Sequence, residues 1–174
     1  MSNIIFISGP IKSGKSDFAE YLAKGSHNVT YIALSEARED DKDWQKRINK
    51  HKLRRPKDWK LIETTDLIKV LKTERNILLI DSIGGFVVES LYKKDKEWSK
   101  HLKELINNLQ NYKNKIIIVG EQSGWGLVSE HKLGNIFLDR IGETLKEITK
   151  ISFQNWLTIN GKAVRLDNIF VNIP

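Results

Sequence analysis

Apolar residues along this chain come in two rhythms that alternate. Short continuous runs occupy positions 4–7 (Ile4-Ile5-Phe6-Ile7), 29–33, 77–80 and 116–119. Runs of that length with at most one polar residue, here Thr30, are the mark of strands buried on both faces. Between them, apolar residues recur at helical spacing over 15–24, roughly 41–54, 67–71, about 86–91, 97–112 and 130–149. The end of the chain changes character. Asn155-Trp156-Leu157-Thr158-Ile159, then Asn160-Gly161, then Lys162-Ala163-Val164-Arg165 reads as a hairpin closed by an Asn-Gly turn. The pattern predicts an α/β fold: a mostly parallel sheet flanked by helices, with an antiparallel C-terminal hairpin at its edge. No internal repeat, low-complexity segment or linker interrupts it, so one domain over 1–174 is expected.

The first strand runs into Gly9, Pro10, Ile11, Lys12, Ser13, Gly14, Lys15 and Ser16, which fit G-x-x-x-x-G-K-[ST]. An amphipathic stretch, Asp17-Phe18-Ala19-Glu20-Tyr21-Leu22, follows directly. Strand, glycine loop and helix in that order is the context that separates a phosphate-binding loop from an ordinary glycine turn. Backbone N–H groups and the positive helix end would wrap a polyphosphate. Lys15 would reach the β- and γ-phosphates, and the Ser16 hydroxyl would ligate Mg²⁺. The fold expected is therefore P-loop NTPase-like, and the chain a binder of nucleoside triphosphates.

Composition sharpens this in one respect. Of the 174 residues 40% are hydrophobic, with no run of 18 apolar residues that could span a membrane. The N-terminus enters a strand at once, so no signal peptide is expected. The absence of cysteine fits a reducing cytoplasm and excludes thiolate chemistry. The formal net charge of +7 is concentrated: Lys46, Arg47, Lys50, Lys52, Arg54, Arg55, Lys57 and Lys60 face only Asp58 within one short segment. A local excess points to one anionic site and away from a molecule-wide affinity for nucleic acid. The alternative is a solvated basic helix face.

Three further places carry candidate chemistry. Leu78-Leu79-Ile80-Asp81 is a buried strand ending in an acid, which beside a phosphate loop can hold Mg²⁺ directly or through water. In the basic segment, helical spacing sets Trp44, Ile48 and His51 on one face, with Arg47 and His51 as i, i+4 neighbours. Flanking cations would keep the His51 imidazole neutral and nucleophilic near pH 7. They would also attract a triphosphate. His51 is thus a candidate nucleophile toward phosphorus; a packed helix histidine is the competing reading. Gly124-Trp125-Gly126-Leu127-Val128 follows a strand end, where open α/β sheets bind ligands, and reads as a covering loop or a plain surface loop.

Together these stretches resemble the bifunctional adenosylcobinamide kinase/adenosylcobinamide-phosphate guanylyltransferase family of cobalamin assembly. That family has a loop of the form G-G-x-R-S-G-K-S, then Y-I-A-[TS], then R-I-x-x-H-x-x-x-R-P-x-x-W, a glutamate, and an apolar strand ending in an acid. Here these are Gly9 to Ser16, then Tyr31-Ile32-Ala33, then Arg47-Ile48 with His51, Arg55-Pro56 and Trp59, then Glu63, then Asp81. Order and spacing agree over roughly the first half of the chain. The second half departs. The family's C-[LI]-T-x-W is Ser82-Ile83-Gly84-Gly85-Phe86, and its N-E-V-G-x-G-x-V-P runs from Glu121-Gln122 to Ser129. Its F-R-D-x-x-G-x-x-N-Q is Phe137-Leu138-Asp139-Arg140-Ile141-Gly142 and then Leu145-Lys146, and the loop arginine is Lys12. Those departures bear on the kinase step, the corrinoid site or subunit contacts.

The resemblance implies ATP- or GTP-dependent phosphorylation of adenosylcobinamide, followed by GMP transfer from GTP through guanylylated His51. It also implies guanine-nucleotide contacts at Leu34, Ser35, Glu36, Lys52, Leu53, Arg54, Arg55, Glu63 and Asp81, Mg²⁺ as the metal, and a homotrimer. The expected partner is a small corrinoid, not nucleic acid or a membrane. A diverged P-loop kinase for another small molecule, or a nucleotide-binding paralogue lacking one or both activities, is the alternative.

Overall fold

The computed structural model describes residues 2–34, 56–126 and 129–171. In chain order its elements are β1 (Ile4–Gly9), α1 (Lys15–Ala23), β2 (Val29–Ala33), β3 (Lys60–Glu63), α2 (Leu67–Thr73) and β4 (Ile77–Asp81). Then follow α3 (Gly84–Glu89), α4 (Asp95–Asn111), β5 (Ile116–Glu121), α5 (Lys132–Ile151), β6 (Gln154–Ile159) and β7 (Lys162–Arg165). The strands form one seven-stranded sheet in the order β3-β2-β4-β5-β1-β6-β7. All pairings are parallel except β6 with β7, where Trp156 faces Arg165 and Ile159 faces Lys162. The predicted parallel sheet with an antiparallel C-terminal edge is therefore the observed fold.

Strand alternation divides the core cleanly. Ile7, Val29, Tyr31, Leu79, Ile117 and Val119 face Ala19 and Ala23 of α1. Their neighbours Ile4, Phe6, Ile32, Leu78, Ile80, Ile116 and Ile118 pack against α2, α3, α4 and α5 on the opposite face. Both sides of these strands are thus removed from water, which is why their sequences run apolar without alternating. Side chains of period two carry Asp81 and Glu121 to the α1 face.

Helix ends depart from the expected positions by two residues or fewer, and caps explain several of them. Asp66 accepts a hydrogen bond from the Lys69 amide (2.9 Å) and starts α2. Glu97 accepts from the Lys94 amide (2.9 Å) and starts α4. Buried Arg140 donates to the carbonyls of Ser90 and Lys93 (2.7 Å to the latter) and lies 5.1 Å over the Trp98 ring, pinning the turn after α3. Strand β3 is an addition to the sequence reading. Lys60-Leu61-Ile62-Glu63 is short, only Ile62 is even half-buried, and Lys60 pairs with Glu74 at 2.6 Å. The helix expected over 41–54 lies outside the described residues. Among the described residues, no helix is long and apolar enough to cross a membrane.

Candidate nucleotide site

Gly9 ends β1, and the chain turns back on itself through Ser13 N–H to Pro10 carbonyl at 3.3 Å. Lys12 and Gly14 have φ of 57° and 97°, left-handed values that Gly14 adopts at little cost and Lys12 does not. Gly14 then serves as the N-cap of α1 with no side-chain hydrogen bond, so the positive end of the helix lies at the loop. Lys15, mostly buried, folds back so that Nζ donates to the Pro10 carbonyl at 2.7 Å. A cation held over its own loop is placed to meet incoming phosphate oxygens. Gly9 is required by close approach: a Cβ there would run into the carbonyl and hydroxyl of Thr158 and the hydroxyl of Ser13.

The other predicted residues that the structure describes sit along the same carboxyl edge, and the strand order separates them. Asp81 ends β4, where the buried Tyr31 hydroxyl donates to Oδ2 at 2.6 Å. The Asp81–Ser82 peptide is cis. Glu121 ends β5, in register with Gly9, and accepts from the Ser82 hydroxyl and from the Gly84 amide at 3.1 Å. Burial pushes the Glu121 carboxyl above its ordinary range; the negative charge of Asp81 pushes the same way, against the hydrogen bonds from Ser82 and Gly84. Leu34, buried, follows β2 and closes on Gly85, where a Cβ would overlap the Leu34 backbone. Glu63 is exposed at the end of β3, its strand in register with Ala33.

Neighbouring strands lie ~4.8 Å apart, so β4 and β3, two and four steps from β1, put Asp81 roughly 10 Å and Glu63 roughly 19 Å from the phosphate loop. The fold thus gathers Gly9, Pro10, Ile11, Lys12, Ser13, Gly14, Lys15 and Ser16 into one loop, with Asp81 and Glu121 beside it. It leaves Glu63 and Leu34 toward the far end. Ser35, Glu36, His51, Lys52, Leu53, Arg54 and Arg55 lie outside the described residues. In the glycine-tryptophan loop, Ser123–Trp125 makes a 3-10 turn with Trp125 exposed, and Leu127 and Val128 are outside the description.

Residues 5–166 match the family described as cobinamide kinase / cobinamide phosphate guanyltransferase. The chain belongs to this family. It is accordingly a transferase. The bifunctional adenosylcobalamin biosynthesis protein CobU of Escherichia coli is 26% identical over 181 residues, covering 94% of this chain and 99% of that one. The protein of the same description from Salmonella typhimurium is equally similar. The Pseudomonas aeruginosa protein CobP is 32% identical over 142 residues, 78% of this chain and 81% of its own. Among solved structures, a KaiC-like protein of Pyrococcus horikoshii aligns at a TM-score of 0.47 and 14% identity, over 89% of this chain and 70% of that one.

Two residues that the structure sets beside the loop escaped the sequence reading as site residues. Glu121 carried a signal, because Ile116 to Glu121 is a second apolar strand ending in an acid, like Leu78 to Asp81. Thr158 carried none: it is one polar position in an alternating hairpin, and only the β1–β6 pairing brings it to the loop.

Proposed function

We propose that this family member catalyses two phosphorus transfers in cobalamin biosynthesis, phosphorylating adenosylcobinamide and then transferring GMP to the product. The observation that carries the kinase step is Lys15 folded over a formed phosphate loop at the end of a parallel strand. The nucleotide donor, ATP or GTP, lays its phosphates along Gly9 to Ser16 and the N-terminus of α1. Lys15 exchanges the Pro10 carbonyl for β- and γ-phosphate oxygens. The acceptor's aminopropanol hydroxyl oxygen forms a bond to the γ-phosphorus as the bond to the β-phosphate oxygen breaks, and the hydroxyl proton leaves to solvent. Positioning and charge neutralisation carry most of such a reaction.

Ser16 and Asp81 supply oxygen donors only, the set a hard divalent cation takes, and Asp81 is held in place by Tyr31. Mg²⁺ held by these two would offset charge on the phosphate oxygens.

In the second step the imidazole of His51 attacks the α-phosphorus of GTP. A nitrogen–phosphorus bond forms, the α–β anhydride bond breaks, and pyrophosphate leaves. A phosphate oxygen of adenosylcobinamide phosphate then displaces the imidazole and yields adenosylcobinamide-GDP. The covalent intermediate keeps GMP activated while one substrate replaces another. Leu34, Ser35, Glu36, Lys52, Leu53, Arg54, Arg55, Glu63 and Asp81 hold the guanine nucleotide in this reading. The protein works as a cytoplasmic homotrimer on a small corrinoid. Family membership supports both activities; the His51 step rests on the R-I…H…R-P…W string.

The test is the intact mass of the purified protein after incubation with GTP and Mg²⁺, beside His51→Ala. A GMP-sized gain that is acid-labile and missing in the variant is expected. No gain in protein that still binds GTP would overturn the guanylyl-histidine and leave a P-loop kinase.

A further inference from the structure

The C-terminal hairpin grips the phosphate loop at several points. Thr158 Oγ1 donates to the Ser8 carbonyl at 3.3 Å, which leaves the same oxygen to accept from the Ser13 hydroxyl at 2.8 Å. Both hydroxyls are almost fully buried, Thr158 at 1% exposure and Ser13 at 3%. The Gly161 amide, at the hairpin tip, donates to the Ser13 carbonyl at 3.0 Å. Gly9 has no room for a Cβ because Thr158 occupies it, and a Cβ on Gly14 would lie 3.5 Å from Gly161 Cα. Ser13, in the middle of the loop, is thus held through its side chain and its backbone by residues about 145 positions away.

The hairpin is itself braced. Strand β6 pairs with β1 on one side and β7 on the other. At its root the Asn155 amide and Nδ2 donate to the two carboxylate oxygens of Asp167 at 2.9 and 2.8 Å, and Arg165 Nε donates to Asp167 at 3.2 Å. Thr158 is therefore presented by a rigid strand, which suits a group that fixes another in place. A loop already in its bound shape loses less freedom when the ligand arrives, and the saving appears as affinity.

We infer that Thr158 is a positioning residue for the nucleotide, acting through Ser13 to hold the phosphate loop open before the phosphates enter. The inference rests on the nucleotide reading of that loop. Thr158→Val keeps the shape and removes the hydroxyl. Of the two hydrogen bonds that this removes, the one from Ser13 bears on the loop, and its loss corresponds to about a three- to tenfold rise in the Kd for mant-GDP or mant-ADP with Mg²⁺. In turnover the nucleotide KM rises by the same factor while kcat holds, the signature of lost uniform binding. Thr158→Ser restores both.

Because Thr158 acts through Ser13, Thr158→Val on a Ser13→Ala background adds no further loss, which a merely structural role does not predict. Ser13→Ala also carries the test from the loop side should Thr158→Val fail to fold. Lys15→Ala separates the two readings. Wild-type affinity in Thr158→Val, with binding abolished in Lys15→Ala, overturns the positioning role alone. Undiminished binding in Lys15→Ala overturns the nucleotide reading of the loop and this inference with it.

Discussion

Among the described residues, strand β1, which ends in the phosphate loop, has a strand on each side, β5 and β6, whereas β3, which ends in Glu63, has only β2. The difference extends to burial. Strand β1 is enclosed along nearly its whole length, while in β3 only Ile62 is half-covered. The loop that the proposed function needs to present amides and a lysine at fixed positions to a polyphosphate is thus set between two paired strands and clamped by a hairpin. By strand spacing, roughly 19 Å separates the two ends.

The sharpest break between the two ends is Lys15→Ala. It should reduce phosphoryl transfer by about a hundred- to a thousandfold, on the scale of losing one preorganised charge-stabilising group. By intact mass, a GMP adduct on His51 that persists would mean that guanylyl transfer does not need Lys15, and one lost with phosphoryl transfer that both steps draw on one nucleotide. Next, Leu79→Ala in β4 removes a fully buried side chain from the strand between the two ends. It should cost about 2–5 kcal/mol of stability in chemical denaturation and lower both activities together.

Tyr31→Phe is more selective. It deletes the hydroxyl that donates to Asp81, a bond to a charged group worth about 1.5–3 kcal/mol. The Mg²⁺ concentration for half-maximal phosphoryl transfer should rise and the melting temperature should fall by roughly 3–12 °C. An unchanged Mg²⁺ dependence would remove Asp81 from the kinase site.

The smallest effect concerns Glu121. Its folded pKa is raised chiefly by burial, so between the unfolded and folded pKa the native state binds more protons and stability falls as pH rises. Glu121→Gln escapes that loss. Its melting temperature relative to wild type should climb from pH 4 to pH 8, read by thermal scans across that range. A flat difference would mean that Glu121 is ionised in the fold at little cost.

How much the sequence disclosed follows from where each signal lives. The parallel core was legible because β1, β2, β4 and β5 are covered on both faces and so run almost continuously apolar. The hairpin was legible from Asn160-Gly161, whose φ values of 50° and 75° are those an Asn-Gly turn supplies. Strand β3 was not, because its place depends on pairing with β2 and its side chains are mostly solvated. The phosphate loop was legible as a local motif. Its support by Thr158 and Gly161 was not, since contacts between positions so distant in sequence leave no periodic trace. Glu121 sat between: its strand ended in an acid, but only register with Gly9 and the bonds to Ser82 and Gly84 place it in the site.

The pairing of Ser13 with Thr158 also has a consequence for synthesis. A ribosome makes the phosphate loop about 145 residues before the hairpin that seats it. A nascent chain, or a fragment cut before β6, therefore carries the whole nucleotide motif without its supporting wall. Closure across most of the sequence is a slow, late event in folding. Nucleotide added to translating ribosomes should thus protect the finished chain and not the growing one.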